Sequence, residues 1–167
     1  GGTKIVQIAA AWGDVALTAA RSVYALRVNH EAASNDMTWT GGQINILSGG
    51  LITDNRDNAR VLFDTTPVYF GDGTTPVVGT VYVDENITRM NALVTAAGLA
   101  ITGPGALQLT RTTNAITGTI QLNGAILYVD GPGSAGTATI RLHGDYHNNN
   151  NAGQMSSLFL RTVVTTS

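Results

Sequence analysis

Residues 99–129 read LAITGPGALQLTRTTNAITGTIQLNGAILYV, a stretch in which short apolar alternations are interrupted by TGPG, TTN and NG. Alternation of apolar and polar residues is typical of β-strands, because successive side chains of a strand point to opposite faces. Glycine, proline and asparagine are the residues that tight turns require. The stretch therefore predicts short strands joined by compact turns, and it contains no helix-length apolar face.

The same pattern recurs along most of the chain. Further predicted strands include TKIVQIA (3–9), SVYALRVN (22–29), VVGTVYV (77–83) and SLFLRTVVT (157–165). The exception is WGDVALTAARSVYAL (12–26), whose alanine content favours a short helix. We therefore expect residues 1–21 to form an irregular or short helical lead-in to an otherwise all-β chain.

Three all-β architectures fit such a chain: a sandwich, a closed barrel and a solenoid. Short strands with glycine beside nearly every one favour a solenoid, in which each coil turns several corners and small inward residues stack in columns. An aromatic content of 6% also suits a narrow interior. The predicted fold is an all-β, right-handed parallel β-solenoid that forms a single domain over residues 1–167, with a β-sandwich or jelly roll as the alternative.

The composition excludes several classes of protein. Charged residues make up 12% of the chain and the net charge is −2, so no basic field for nucleic acid is expected. Cysteine is absent, which excludes disulfides, thiolate metal sites and cysteine nucleophiles. No apolar run is long enough to predict a transmembrane helix. The Gly1-Gly2 start without methionine indicates a processed chain or a piece of a longer exported one.

The stretch 99–129 resembles the autotransporter-associated β-strand repeat, which occurs in the passenger regions of bacterial autotransporter proteins. The matching residues are Leu99, Gly103, Gly105, Leu107, Leu109, Asn114, Gly118, Thr119, Gly124 and Leu127. The usual lysine is missing, since Ala100, Ile101 and Thr102 precede Gly103, and Ile116 stands where tyrosine is common. The weaker likeness extends over about residues 20–130.

This resemblance implies a right-handed parallel β-helix of about eight coils, at about 20 residues per coil with the strand spacing of a parallel sheet. It also implies export to the bacterial cell surface or the extracellular space. The repeat carries no catalytic residues, so the family reading implies a protein that is not an enzyme.

One segment suggests a cation site. DNRDN (54–58) places Asp54 and Asp57 three positions apart in a turn-rich segment, and carboxylate and amide oxygens suit Ca²⁺. The alternative is a solvated corner loop whose Asp and Asn side chains cap backbone groups. No other cofactor is predicted.

Paired acids and histidines are candidates for catalytic or metal sites. Asp64 and Asp84 could pair across coils, as the acids of β-helical polysaccharide hydrolases and lyases do. His143, Asp145 and His147 alternate along one segment, which would place them on one face of a strand, although the spacing of about 7 Å per step suits a bound ion poorly. In each case surface acids or an exposed loop is the alternative.

Trp39 and Tyr82 are candidate ligand-binding residues, because aromatic rings on one face of consecutive coils could stack on sugars. Core packing is the alternative for both. The function expected from the sequence is structural: an exported rod that stacks on itself or on neighbouring segments of a longer polypeptide. A carbohydrate-binding adhesin module that recognises surface glycans is the second hypothesis.

Overall fold

The computed structural model describes residues 4–10, 13–30, 35–55, 59–143 and 156–161, and over these ranges it shows strands and no helix. The first sheet contains β1 (Ile5–Ala10), β4 (Ala25–His30), β7 (Gly50–Asn55), β10 (Val78–Val83), β13 (Gly98–Thr102), β16 (Thr119–Asn123) and β18 (Thr139–His143). The second contains β2 (Val15–Leu17), β5 (Met37–Gly41), β8 (Val61–Phe63), β11 (Ile87–Met90), β14 (Ala106–Leu109), β17 (Ile126–Val129) and β19 (Ser157–Leu160). The third contains β3 (Arg21–Val23), β6 (Ile44–Ile46), β9 (Val68–Phe70), β12 (Val94–Ala96) and β15 (Ala115–Ile116).

From β1 to β15 the chain visits the three sheets in turn, and from β16 to β19 the described strands alternate between the first and second sheets. Neighbouring strands within each sheet pair in parallel. Each pass through the first sheet begins a new coil, so that the second coil starts at β4, the third at β7 and the fourth at β10. The result is a β-solenoid of about six turns. The predicted parallel solenoid is confirmed, and the alternative of two antiparallel sheets packed face to face is wrong.

Two details of the sequence prediction are corrected. Residues 13–30 hold strands β2, β3 and β4 in place of the short helix expected over 12–26, whereas β1 confirms the strand predicted over residues 3–9. Alanine favours a helix only weakly, and here the pairing of each strand with the next coil overrides that preference. The solenoid also has about six turns, fewer than the eight expected.

The number of turns is lower than expected because the second and third coils, and the step from β17 to β19, are longer than the repeat. Partners in the first sheet are 20 and 21 positions apart at Val81, Ile101 and Leu122. They are 25 and 30 positions apart at Leu26, Leu51 and Val81. The 20-residue repeat therefore describes the first coil and the coils that carry the quoted stretch, and the second and third coils carry extra residues between strands.

The core consists of columns of inward side chains, one from each coil. The main column of the first sheet is Val6, Leu26, Leu51, Val81, Ile101, Leu122 and Leu142. The main column of the second sheet is Val15, Trp39, Phe63, Met90, Leu109, Val129 and Leu160. The middle members of both columns are buried. Burial of such apolar side chains stabilises the stack, at roughly 25 cal/mol per Å².

The corners explain the regular glycines and the asparagine of the quoted stretch. A Cβ on Gly118 would lie 2.1 Å from the carbonyl oxygen of Ala97 in the coil below, so no larger residue fits there. Buried Asn114 accepts a hydrogen bond from Val94 N–H at 2.9 Å and donates one to the Ser134 carbonyl oxygen at 2.8 Å. Its amide thereby joins three successive coils at one corner.

Candidate functional site

The outer face of the first sheet carries a cluster of polar and exposed apolar side chains on the second to fourth coils. Arg27, Ile52 and Tyr82 are in register on successive strands and point outward. Arg27 forms an ion pair with Asp54 at 3.2 Å, and the Tyr82 hydroxyl donates a hydrogen bond to Asp84 at 3.1 Å. We name these five residues the outer patch. In this patch the accessible ring of Tyr82 lies near the guanidinium of Arg27 and the carboxylates of Asp54 and Asp84.

The electrostatics of the outer patch follow from its carboxylates. The hydrogen bond to Asp84 raises the pKa of the Tyr82 hydroxyl above its usual value of 10.0, and partial burial and the charges of Asp84 and Asp54 add to this effect. The Tyr82 hydroxyl is therefore a hydrogen-bond donor at neutral pH. With 38% of its surface exposed, the ring is open to a ligand.

Asp54, one of the two calcium candidates, lies in the outer patch, while Asp57 lies outside the described residues. Thr53 pairs with Val83, so Asp54 and Asp84 follow on neighbouring coils of the same ladder. Arg27 neutralises part of that charge. Among the described ranges, no group of three or more His, Asp or Glu side chains is arranged to hold a metal ion.

Trp39, the second ligand candidate, lies in the core. Its exposure is 0%, its ring centroid is 5.3 Å from that of Phe63, and its indole N–H points at the sulfur of Met37 at 3.3 Å. The sequence prediction of a sugar-stacking role is corrected for this residue, since a ligand on the surface has no access to the ring. Trp39 points inward, as do Val15 and Phe63, the core residues that are in register with it on the neighbouring strands.

The remaining acids do not form the expected pair. Asp64 follows β8 in the second sheet and accepts a hydrogen bond from Asn91 at 2.9 Å, whereas Asp84 follows β10 in the first sheet. Asp84 instead adjoins Asp54. His143 ends β18 on an exposed position, and its expected partners Asp145 and His147 lie outside the described residues.

The segment GDGTTP (71–76) is a turn closed by its own aspartate. Asp72 Oδ1 accepts hydrogen bonds from the Thr75 and Thr74 N–H groups at 2.6 and 2.8 Å and from the Thr74 hydroxyl at 2.8 Å. These bonds, the one from Thr75 above all, lower the pKa of Asp72 to about 2. Its role is therefore to cap the turn.

The last described coil leaves apolar side chains uncovered at the end of the solenoid. Leu142 and Leu160 end the main columns of the first and second sheets, and they are 53% and 72% exposed. Beside Leu160 lies a half-open cavity of about 240 Å³, lined by Val129, Gly131, Pro132, Leu160 and Arg161. Sequence reasoning missed this surface because alternation does not reveal which coil of a stack leaves its column residues exposed.

Comparisons of the chain with protein-family models, with curated proteins and with solved structures found no match in any of the three. Within the described ranges there is also no helix with the length and apolarity needed to cross a membrane.

Proposed function

We propose that this protein is a non-catalytic structural β-solenoid that assembles by continuing its sheets into further coils. The further coils belong to a second copy of the chain or to neighbouring segments of a longer polypeptide. The observation that carries this proposal is the uncovered ends of the core columns at Leu142 and Leu160.

Strand direction and register support this mode of assembly. β18 and β19 each have one neighbour among the described strands, so within the described ranges each presents backbone groups at an edge of its sheet. Parallel addition of another coil would pair those groups and cover Leu142 and Leu160 with the next members of their columns. Repeat proteins gain stability in this way from each neighbouring unit.

The proposed location of the protein rests on the resemblance of residues 99–129 to the autotransporter passenger repeat. We propose that the protein is exported and acts at the bacterial surface or outside the cell. The absence of cysteine is compatible with export, because a disulfide-free coil stack needs no oxidative folding step.

Sedimentation velocity and electron microscopy over a range of protein concentrations test the assembly. We expect concentration-dependent growth into rods for the parent chain. Leu142→Lys should shift it toward the monomer, because the lysine places a charge at the interface between coils. Val78→Lys is the matched control, since Val78 is also 53% exposed but lies on an inner strand of the first sheet. A parent chain that stays monomeric at high concentration contradicts self-association.

A second candidate function is carbohydrate binding at the outer patch. The observation in its favour is the exposed Tyr82 ring, flanked by groups that can donate to and accept from sugar hydroxyls. Glycan-array binding by the parent chain that Tyr82→Ala abolishes and Tyr24→Ala retains would support it. Tyr24 is the control because it is similarly exposed, at 42%, and lies outside the outer patch. No binding by the parent chain removes this candidate.

A further inference from the structure

Two buried polar side chains face each other across the second and third coils. His30 ends β4 and Asn55 ends β7, and the two residues are in register in the first sheet. They share the inward face with the column residues Leu26 and Leu51, and their exposures are 1% and 0%. Burial of polar groups is unfavourable unless each finds a hydrogen-bond partner.

The contacts of His30 fix which ring nitrogen carries the hydrogen. Nε2 contacts the carbonyl oxygen of Asn35, and a carbonyl oxygen can only accept a hydrogen bond. Nε2 is therefore a donor, and in the tautomer that carries its hydrogen on Nε2, Nδ1 is an acceptor with a lone pair. Nδ1 has no hydrogen-bond partner within the described part of the chain.

Asn55 presents a second acceptor. Its Nδ2 group donates to the Ile87 carbonyl oxygen and to Thr88 Oγ1, both at 3.3 Å. This orientation of the amide leaves Oδ1 to accept, and Oδ1 also lacks a hydrogen-bond partner among the residues that the structure describes. Two acceptors cannot satisfy each other, whereas a small molecule that donates twice would satisfy both.

We propose that His30 Nδ1 and Asn55 Oδ1 bind one buried water molecule between the second and third coils. Adjacent strands are about 4.8 Å apart, which allows one oxygen to reach both side chains. A water molecule supplies the two O–H donors that the pair lacks, and buried waters commonly bridge such groups. The site would join the second and third coils.

A crystal structure of the whole chain that resolves ordered water tests the site. We expect an oxygen within about 2.7–3.2 Å of both His30 Nδ1 and Asn55 Oδ1. Nitrogen-15 NMR should show the His30 ring protonated at Nε2, with a water cross-peak that Asn55→Leu removes. A direct bond between the two side chains, a ring protonated at Nδ1, or no ordered oxygen overturns the proposal.

Thermal unfolding provides a second test. His30→Leu and Asn55→Leu should each lower Tm by about 2–4 °C or more, because each leaves one buried acceptor without its water. The double variant should lose less than the sum of the two single effects, since removing both acceptors also removes the need for the donor, while the bonds to Asn35, Ile87 and Thr88 are lost in either case. A double variant whose Tm falls by the sum of the single effects contradicts the water bridge.

Discussion

The coils from β10 to β17 and the coils from β4 to β9 contribute strands to the same sheets, but their core side chains differ. In the later coils, partners are close to 20 positions apart, and the main column of the second sheet contains Leu109 and Val129. In the earlier coils the spacing is wider, and the same column contains Trp39 and Phe63.

A large side chain in one coil is accommodated by a small residue of the next coil in a neighbouring sheet. Phe70 of the third coil is buried, and a Cβ on Gly79 in the fourth coil would lie 2.8 Å from its ring. The glycine therefore makes room for the ring. The early coils gain aromatic packing, while the later coils gain uniform corners at Asn114 and Gly118.

The largest expected effect is in the early coils. Trp39→Ala should destabilise the chain by about 3–5 kcal/mol, because it leaves a cavity beside Phe63. Denaturant unfolding measures the change, and Tyr82→Ala on the outer face is the control. A loss below about 1 kcal/mol for Trp39→Ala would show that the ring is not a core residue.

The next effect concerns a corner of the later coils. Gly118→Ala should destabilise by about 3 kcal/mol, since its Cβ would meet a backbone carbonyl that cannot move without disturbing the ladder. Gly131→Ala is the matched control, because its nearest contact is a side-chain methyl of Thr112 at 3.4 Å. Equal effects of the two substitutions on denaturant midpoints would contradict the close packing of this corner.

A smaller loss is expected when the amide that joins three coils is removed. Asn114→Ala should cost about 2 kcal/mol, because the buried Val94 N–H loses its acceptor. Hydrogen exchange measured at Val94 should accelerate in this variant. Unchanged exchange would mean that the amide does not protect the coil below.

The smallest expected effect is a dependence of stability on pH that the early coils have at an ion pair and that the later coils lack at the corresponding contact. In the early coils the hydrogen bond and charge of Arg60 lower the pKa of Asp36, whereas in the later coils Arg89 bonds to the neutral Gln108. Since the folded pKa of Asp36 is depressed, this contact stabilises the fold above about pH 4 and its contribution is lost as the pH falls through the lowered pKa. Asp36→Asn should therefore reduce stability at pH 7 and have little effect near pH 2, measured by denaturant unfolding. A pH-independent difference contradicts the ion pair.

The fold was predictable from residues 99–129, because alternation and turn residues there repeat at the spacing of one coil. The second to fourth coils were harder to predict, since the pairing of Leu51 with Val81 depends on how much chain lies between the strands. The helix expected over 12–26 was wrong because local alanine content says nothing about pairing between coils. The order of the strands within each sheet depends on tertiary contacts, which the local sequence pattern does not reveal.

The candidate site was predictable only in part. Alternation places Tyr82 and Trp39 each on one face of a strand, but without the register it does not show that the face of Tyr82 is outward and that of Trp39 inward. The neighbours Asp54 and Asp84 are 30 positions apart and adjoin through the ladder. His30 and Asn55 carry no sequence signal of a shared site, because their meeting also depends on the register.

Distances between paired spin labels provide the sharpest test of coil stacking, and the cysteine-free chain allows clean labelling. The labels go on Ala25, Thr80 and Arg141. These residues lie, with Gln121, on one outer ladder of the first sheet. The separation of labels on Ala25 and Arg141 should exceed that of labels on Thr80 and Arg141 by about 10 Å, or two coil steps of about 4.8 Å each. Equal separations, or a shorter distance for the pair with more intervening coils, would contradict a solenoid stacked in this register.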